Sequence, residues 1–289
     1  MKPTQPMADH AQPTGEVRFR FGENWQRFRV AITEPRIAEA EASLCSALRE
    51  THLKGKRFLD IGSGSGLFSL AARRLGAVVH SFDYDRDAVA CAKALRETHF
   101  AGDTNWTVEH GSALDPDYLR SLGRFDIVYS WGVLHHTGAM WKALDYARLP
   151  VAPGGKLFIA IYNDQGAKSR AWLRIKHLYN ALPVGLRFLV LGPSAVALWG
   201  PIMIRDTALF GAPLRMWRSR DRGMSATRDL VDWVGGYPFE VARPEDIFFF
   251  YHERGFSLSW LRTAAGRLGC NQFVFEHRST TGLPQVQPL

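Results

Sequence analysis

Between residues 56 and 161, short runs of β-branched and aromatic residues alternate with longer segments of helical period. That alternation predicts a parallel sheet whose strands are joined by crossover helices. The runs put strands at 57–61, 78–83, 106–110, 125–130 and 156–162, and helices near 66–75, 86–98 and 140–147. Ahead of this core, residues 34–49 carry Ile37, Ala40, Leu44 and Leu48 on one helical face, behind an aromatic group of Phe19, Phe21, Trp25 and Phe28; together they read as a cap. Beyond the fifth strand the rhythm breaks for nearly eighty residues. It resumes with a helix at 245–254 and two apolar runs, 256–261 and 272–275, joined by TAAGRLGCN. No crossover helix separates these two runs, so they predict an antiparallel pair at the sheet edge.

The fold class is therefore α/β, a Rossmann-like doubly wound sheet of seven strands with a parallel core, an antiparallel edge pair and a helical insertion after the fifth strand. The expected division is a disordered lead-in (1–15), a helical cap (16–55), the core (56–162), a basic and apolar insertion (163–242), the end of the core (243–278) and a flexible tail (279–289). Within the insertion, residues 188–204 carry no charge and approach the length of a membrane span. Gly192, Pro193, Gly200 and Pro201 are expected to interrupt this run, and one crossing would separate strands of the same sheet. A transmembrane segment is rejected. A lid or substrate wall is the leading expectation, with peripheral contact at a membrane interface as the other.

A chain of 289 residues with 46% hydrophobic and 22% charged residues is long and apolar enough for a real core, which excludes disordered, collagenous and coiled-coil classes. Cys45, Cys91 and Cys270 lie far apart, are odd in number and form no CxxC pair, so no metal site is expected and a reducing cytoplasm fits. The first fifteen residues are polar and proline-bearing, without the apolar stretch of a secretory signal. The net charge of +8 is confined to residues 166–223, where ten Lys or Arg face two Asp. Such a segment suits an anionic partner, or is a solvated helix face paired with acids elsewhere. Its first helix, at 169–180, sets Trp172, Ile175 and Tyr179 on one face and Arg170, Arg174 and His177 on another. With Arg215, Arg218, Arg220 and Arg222, these basic residues could grip phosphate on a nucleotide-linked or lipid-linked acceptor.

The strongest chemical signal is Phe58-Leu59-Asp60-Ile61-Gly62-Ser63-Gly64-Ser65-Gly66, at the junction of the first strand and its helix. Glycines there let the backbone turn sharply and approach a ligand that a Cβ would repel. Asp83, ending the next strand, can accept hydrogen bonds from both hydroxyls of a ribose, or cap the following helix; the two uses can coexist. A nicotinamide dinucleotide would require a small residue where Leu67 stands. Taken together, these residues resemble the class I S-adenosylmethionine-dependent methyltransferases, from about residue 56 to 275.

That resemblance implies roles. Asp60 and the loop of Gly62, Ser63, Gly64 and Gly66 would flank the methionine part of S-adenosyl-L-methionine, and Asp83 would hold its ribose. His110-Gly111-Ser112-Ala113 falls at the family's adenine contact, with Ser112 in place of the usual acid. Ser130-Trp131-Gly132-Val133-Leu134-His135-His136 corresponds to the segment beneath the sulfonium and beside the acceptor. Pro153-Gly154-Gly155 would be the turn before the fifth strand.

Methyl transfer is an in-line displacement, so alignment supplies much of the catalysis and a base is needed only where the nucleophile carries a proton. His135 and His136 are the candidate bases. Alternation along a strand would turn one of them into the pocket, and His136 falls where small-molecule methyltransferases resembling the ubiquinone-biosynthesis type carry a histidine. Tyr162 and Asn163, with Asp164 and Gln165, leave the fifth strand at the same edge and are acceptor-pocket candidates or simply a turn. The run Asp232–Glu240, rich in glycine and aromatics, reads as a loop over the pocket or a wall sealing the core. The expected activity is transfer of a methyl group to an oxygen or nitrogen of a small-molecule, glycan-like or lipid-like acceptor. A nucleic-acid methyltransferase is the less favoured enzyme, because the fourth strand ends in Ser-Trp-Gly-Val rather than Asn/Asp-Pro-Pro-aromatic. A non-catalytic cofactor-binding subunit is the third reading, and the oligomeric state is left open.

Overall fold

The computed structural model describes residues 32–211 and 226–278. The aromatic group at 19–28, the arginines at 215–222, the lead-in and the tail 279–289 lie outside them. In chain order the helices are α1 (Glu34–Leu48), α2 (Leu67–Arg74), α3 (Arg86–His99), α4 (Pro116–Ser121), α5 (Met140–Ala147), α6 (Ala167–Ala181), α7 (Phe188–Phe210), α8 (Ala226–Gly235) and α9 (Pro244–His252). The strands are β1 (Arg57–Ile61), β2 (Val78–Asp83), β3 (Trp106–His110), β4 (Phe125–Trp131), β5 (Val151–Tyr162), β6 (Phe256–Arg262) and β7 (Cys270–His277). They form one seven-stranded sheet in the order β3-β2-β1-β4-β5-β7-β6. The first five are mutually parallel; β7 runs antiparallel to both β5 and β6.

Alternation along each central strand divides its side chains between two cores, because successive residues of a strand face opposite sides. Phe58, Ile127, Phe158 and Val274 pack under α1, α2 and α3 with Leu44, Leu70 and Leu95. Their neighbours Leu59, Val128, Leu157 and Phe273 pack on the other side with Leu144 of α5 and Ile247 and Tyr251 of α9. The strand order reverses between β1 and β4, which leaves a crevice at the carboxyl ends of the parallel strands.

The insertion forms a helical subdomain of its own. Tyr179, Val190, Leu230 and Val234 make its small core, with Trp172, Ile175 and Trp233 packed against them, so the expected apolar face of α6 is the buried one. Three expectations change. Residues 192–193 and 200–201 do not interrupt the apolar run, since α7 continues through Pro193 and Pro201. Both prolines lie on the outward side of the helix, where the carbonyls they leave unmatched, four residues earlier, belong to the exposed Leu189 and Ala197. The fifth strand begins at Val151, because Val151 pairs with Phe125 and the Pro-Gly-Gly segment is taken into the strand as an irregularity of register. The histidine pair lies past the end of β4, on a 3-10 turn at Leu134–His136, so strand alternation does not govern it.

Candidate functional site

A cleft of about 1630 Å³ opens along the carboxyl edge of the parallel strands. It exceeds the ~300–1,000 Å³ of a typical small-molecule pocket and has room for two ligands. The glycine loop forms its floor. Gly62 has a φ of +76°, and a Cβ there would stand 2.4 Å from Val133 Cγ1, so only glycine lets β1 turn beneath the segment that follows β4. Gly66, at φ +83°, meets Ala92 of α3 instead and does not line the cleft; it is a helix-packing glycine. Ser63 lines the cleft with its Oγ buried and without a hydrogen-bond partner among the described residues, a polar group that a ligand would satisfy.

Two carboxylates sit behind this loop. Asp60 is 2% exposed and lines the cleft from below. Its Oδ2 accepts from Ser69 Oγ at 2.5 Å, Ser69 Oγ accepts from Ser81 Oγ at 2.7 Å, and Ser81 Oγ accepts from Trp106 Nε1–H at 2.9 Å. This relay fixes the carboxyl at the cleft lining. Burial, with a smaller contribution from Asp83 nearby, pushes the Asp60 carboxyl up to about 7 despite the Ser69 bond. Asp83 accepts from the backbone N–H of Gly64 on Oδ2 and from that of Asp85 on Oδ1, both at 2.9 Å. It too is raised, chiefly by burial. The cap of α3 is Asp85, which accepts from Asp87 N–H at 2.9 Å, so Asp83 instead braces the glycine loop from the end of β2. Ser112 and Ala113 line the same end of the cleft, and Ser112 Oγ accepts from Leu114 N–H at 3.1 Å.

At the other end, Trp131, Val133, His136, Tyr162, Trp233 and Trp260 make an aromatic wall. Ser130 is not part of it: its hydroxyl is buried and donates to the Ile61 carbonyl at 3.0 Å, tying β4 to β1. The two histidines differ sharply. His135 is fully buried, accepts a long 3.4 Å bond from Tyr162 N–H on Nδ1 and packs against the Tyr162 ring, with centroids 3.9 Å apart and planes tilted by 39°. Burial, then the neighbouring His136 and Lys176, hold its pKa well below the ordinary value, so it is a neutral packing group. His136 lines the cleft, and its Nδ1 lies 2.6 Å from the Pro238 carbonyl. A carbonyl only accepts, so Nδ1 carries the proton; in the neutral ring the lone pair is then on Nε2, the tautomer a general base needs.

That tautomer is set from about a hundred residues away. The Asp232–Glu240 run contributes Asp232 and Trp233 to the cleft, and its end clamps the histidine turn. Besides the Pro238 carbonyl, Glu240 N–H donates to the His135 carbonyl at 3.0 Å, and the Glu240 carboxylate accepts from Met140 N–H at 2.9 Å at the start of α5. A carboxylate at a helix N-terminus also complements the helix dipole. Below the clamp, Lys176 is buried over the Trp233 and Phe239 rings and donates to the Trp233 carbonyl; burial pushes it down to about 7.

Of the polar residues leaving β5, Tyr162 alone lines the cleft. Asn163 donates to the Arg267 carbonyl at 3.2 Å and accepts from Asn271 Nδ2 at 3.0 Å, while Gln165 donates to the Gly266 carbonyl at 2.8 Å. They staple the β6–β7 connection over the edge of the cleft. That connection brings in residues the sequence reading left unassigned, among them Arg262, Thr263, Leu268 and Gln272, and α1 adds Arg36 and Ser43. The glycines of TAAGRLGCN were the available signal, but nothing in the sequence aimed them at the pocket. No residue of α7 is among those lining the cleft.

Comparison with known proteins agrees with this geometry. Residues 34–187 match a protein family described as a methyltransferase domain. The chain is 30% identical over 135 residues to a ubiquinone biosynthesis O-methyltransferase of Coxiella burnetii, a match covering 46% of this chain and 55% of the relative. It is 28% identical over 181 residues to a protein of the same description from Xanthomonas campestris, covering 61% and 73%. The chain thus spans about half the length of the Coxiella relative. Among solved structures, magnesium protoporphyrin IX methyltransferase from Synechocystis PCC 6803 with bound SAH shares the fold, with a TM-score of 0.51, 14% identity and coverage of 89% of this chain and 94% of that one. With a matched segment exceeding half its length, the chain belongs to the methyltransferase domain family.

Proposed function

We propose that this protein is an S-adenosylmethionine-dependent O-methyltransferase acting on a small hydroxylated acceptor. The observation that carries the reading is His136, held by the Pro238 carbonyl with its basic nitrogen on Nε2, in the same cleft as the glycine loop and the Asp60 and Asp83 carboxylates. The residues fit the cofactor. The loop of Gly62, Ser63 and Gly64 gives a ligand close access to backbone, Ser63 Oγ awaits a partner, and the acids suit a cationic amino acid and a ribose. When bound, S-adenosylmethionine supplies an electrophilic methyl group on a sulfonium.

The chain's own work is then alignment and proton removal. Asp60, fixed by the Ser69 relay, receives positive charge at the floor of the cleft. Asp83 spans ribose hydroxyls while keeping the loop in register, and Ser112 and Ala113 border the adenine. The walls formed by Trp131, Tyr162, Trp233 and Trp260 seat an apolar or aromatic acceptor. His136 Nε2 takes the acceptor hydroxyl proton as the oxygen advances, a contribution of about 10²–10⁴ in rate for a positioned base. An oxygen nucleophile suits this arrangement because a hydroxyl must lose its proton. The O-methyltransferase description of the curated relatives supports the same choice.

Calorimetric titration with S-adenosylmethionine and S-adenosylhomocysteine, with NAD as control, tests the cofactor assignment. Binding of both sulfur nucleotides and not NAD is expected; binding of NAD alone refutes it. A screen of phenolic, glycosidic and lipid-linked hydroxyl acceptors, followed by mass spectrometry, then identifies the product.

A further inference from the structure

The outward face of the insertion has a composition that water does not explain. Among the described residues, sixteen large hydrophobic side chains are exposed, and ten of them lie between residues 173 and 210. On α7 one side, including Val190 and Ser194, is buried against the subdomain core. The opposite side presents Leu189, Pro193, Val196, Ala197, Pro201 and Ile204 at helical spacing, with Val196 73% and Ile204 72% exposed. No charge interrupts residues 188–204. A surface helix facing water carries charges on that side, so a contiguous apolar stripe indicates an interaction surface.

Charge indicates the partner. Residues 166–211 hold six Lys or Arg and one acid, Asp206. Asp206 is buried beneath Arg205, 2.7 Å away, so no carboxylate among the described residues of this stretch opposes an anionic surface except through that pair. Exposed Arg205 directly follows Ile204 at the end of the stripe, and on the adjacent helix α6 exposed Arg174 shares a face with exposed Leu178. We infer that α7 lies in the plane of an anionic bilayer, its stripe sunk to the acyl boundary and the bordering arginines at the headgroups. Such apolar faces bordered by Lys or Arg bind lipid interfaces through buried area and attraction to anionic headgroups.

The helix lies on the bilayer rather than across it. Length and composition do not decide this, since the helical segment Val184–Phe210 has 27 residues and a mean hydropathy of 1.5, enough for a crossing. The helices on either side of it do, because they pack together, with Lys176 of α6 bonded to the Trp233 carbonyl of α8 and Asn180 Nδ2 2.7 Å from the Gly235 carbonyl. A crossing would tear that contact apart. This surface goes beyond the methyl-transfer reading, and its test requires neither cofactor nor acceptor.

The experiment is flotation of the full chain with phosphatidylcholine vesicles, with and without phosphatidylglycerol, alongside sedimentation without lipid. The expected result is co-flotation with the anionic vesicles, weakened at least ~10-fold by omitting phosphatidylglycerol or adding salt. The exposed pair Val196→Glu and Ile204→Glu should lose vesicle binding while keeping the thermal melt and S-adenosylhomocysteine titration of the parent. Absence of flotation by a monomeric parent overturns the inference. A parent that sediments as a dimer, ignores vesicles and is made monomeric by the same substitutions also overturns it and assigns the stripe to a second copy of this chain.

Discussion

Acidification should weaken S-adenosylmethionine binding through Asp60. Its carboxyl ordinarily titrates at 3.8 and is raised to about 7 in this fold, a difference worth about 4 kcal/mol against the ionised form. A ligand that brings a sulfonium and an ammonium group favours the carboxylate, so binding must draw on the ionised fraction. That fraction is about 0.9 near pH 8 and about 0.1 near pH 6, so the affinity should fall about ninefold across that interval. Calorimetry in buffers of different ionisation enthalpy measures both the affinity and the accompanying release of a proton. Asp60→Asn keeps an acceptor for the Ser69 hydroxyl and removes the titration. It should flatten the pH dependence and bind at the level of the parent at low pH. In the free protein a carboxyl raised on folding contributes stability below its ordinary pKa and loses it as pH rises through about 7. Asp60→Asn should therefore melt higher than the parent at alkaline pH. A pH slope that survives in Asp60→Asn, or is absent from the parent, refutes the assignment of the charge to this carboxyl.

His136→Gln should lower kcat by about 10²–10⁴ and leave the S-adenosylhomocysteine dissociation constant within about twofold of the parent; loss of cofactor binding instead would move the residue out of the base role. Gly62→Ala forces a Cβ onto Val133 at positive φ, and chemical denaturation should show about 1–3 kcal/mol of lost stability, partly recovered by adding Val133→Ala. Lys176 titrates near 7 in the fold and at 10.5 ordinarily, so the unfolded chain holds more protons between those values and stability should rise with pH there. The rise is at most about 5 kcal/mol because the Trp233 and Phe239 ring faces favour the cation, and Lys176→Met should abolish it in urea melts. Asp83→Asn should weaken cofactor binding by about tenfold or more in the same titrations; unchanged affinity would remove the ribose assignment.

The sheet was legible in the sequence because its strands are apolar on both faces and end in glycine or aspartate. β1, β2 and β3 have the expected bounds. The antiparallel edge was legible for the opposite reason, the lack of room for a crossover between residues 261 and 272. α4 escaped notice because it has six residues, fewer than two turns, and its only mark is the Asp115 cap followed by Pro116. Proline and glycine rules misjudged α7, because both prolines face outward and the carbonyls they leave unmatched belong to exposed residues. In the cleft, the glycine loop and Asp83 could be read because local spacing sets them. Expected roles for Gly66, Ser130, His135 and Asn163 meet other contacts, with α3, the Ile61 carbonyl, the Tyr162 ring and the β6–β7 connection. These partners are distant in sequence and leave no periodic trace.

The clamp on His136 makes the two halves of the cleft unequal in how they come into being. The glycine loop, Asp60 and Asp83 draw their partners from β1, α2, β2, β3 and α3, all within the family-matched segment 34–187. The histidine acquires the partner that sets its tautomer only when Pro238 arrives, after the insertion has been synthesised. On the proposed roles, the cofactor residues draw on nothing beyond residue 187, whereas the base depends on a carbonyl at 238. If His136 is the base as proposed, its tautomer answers to the insertion, and changes there should retune reactivity while the nucleotide half stays as it is.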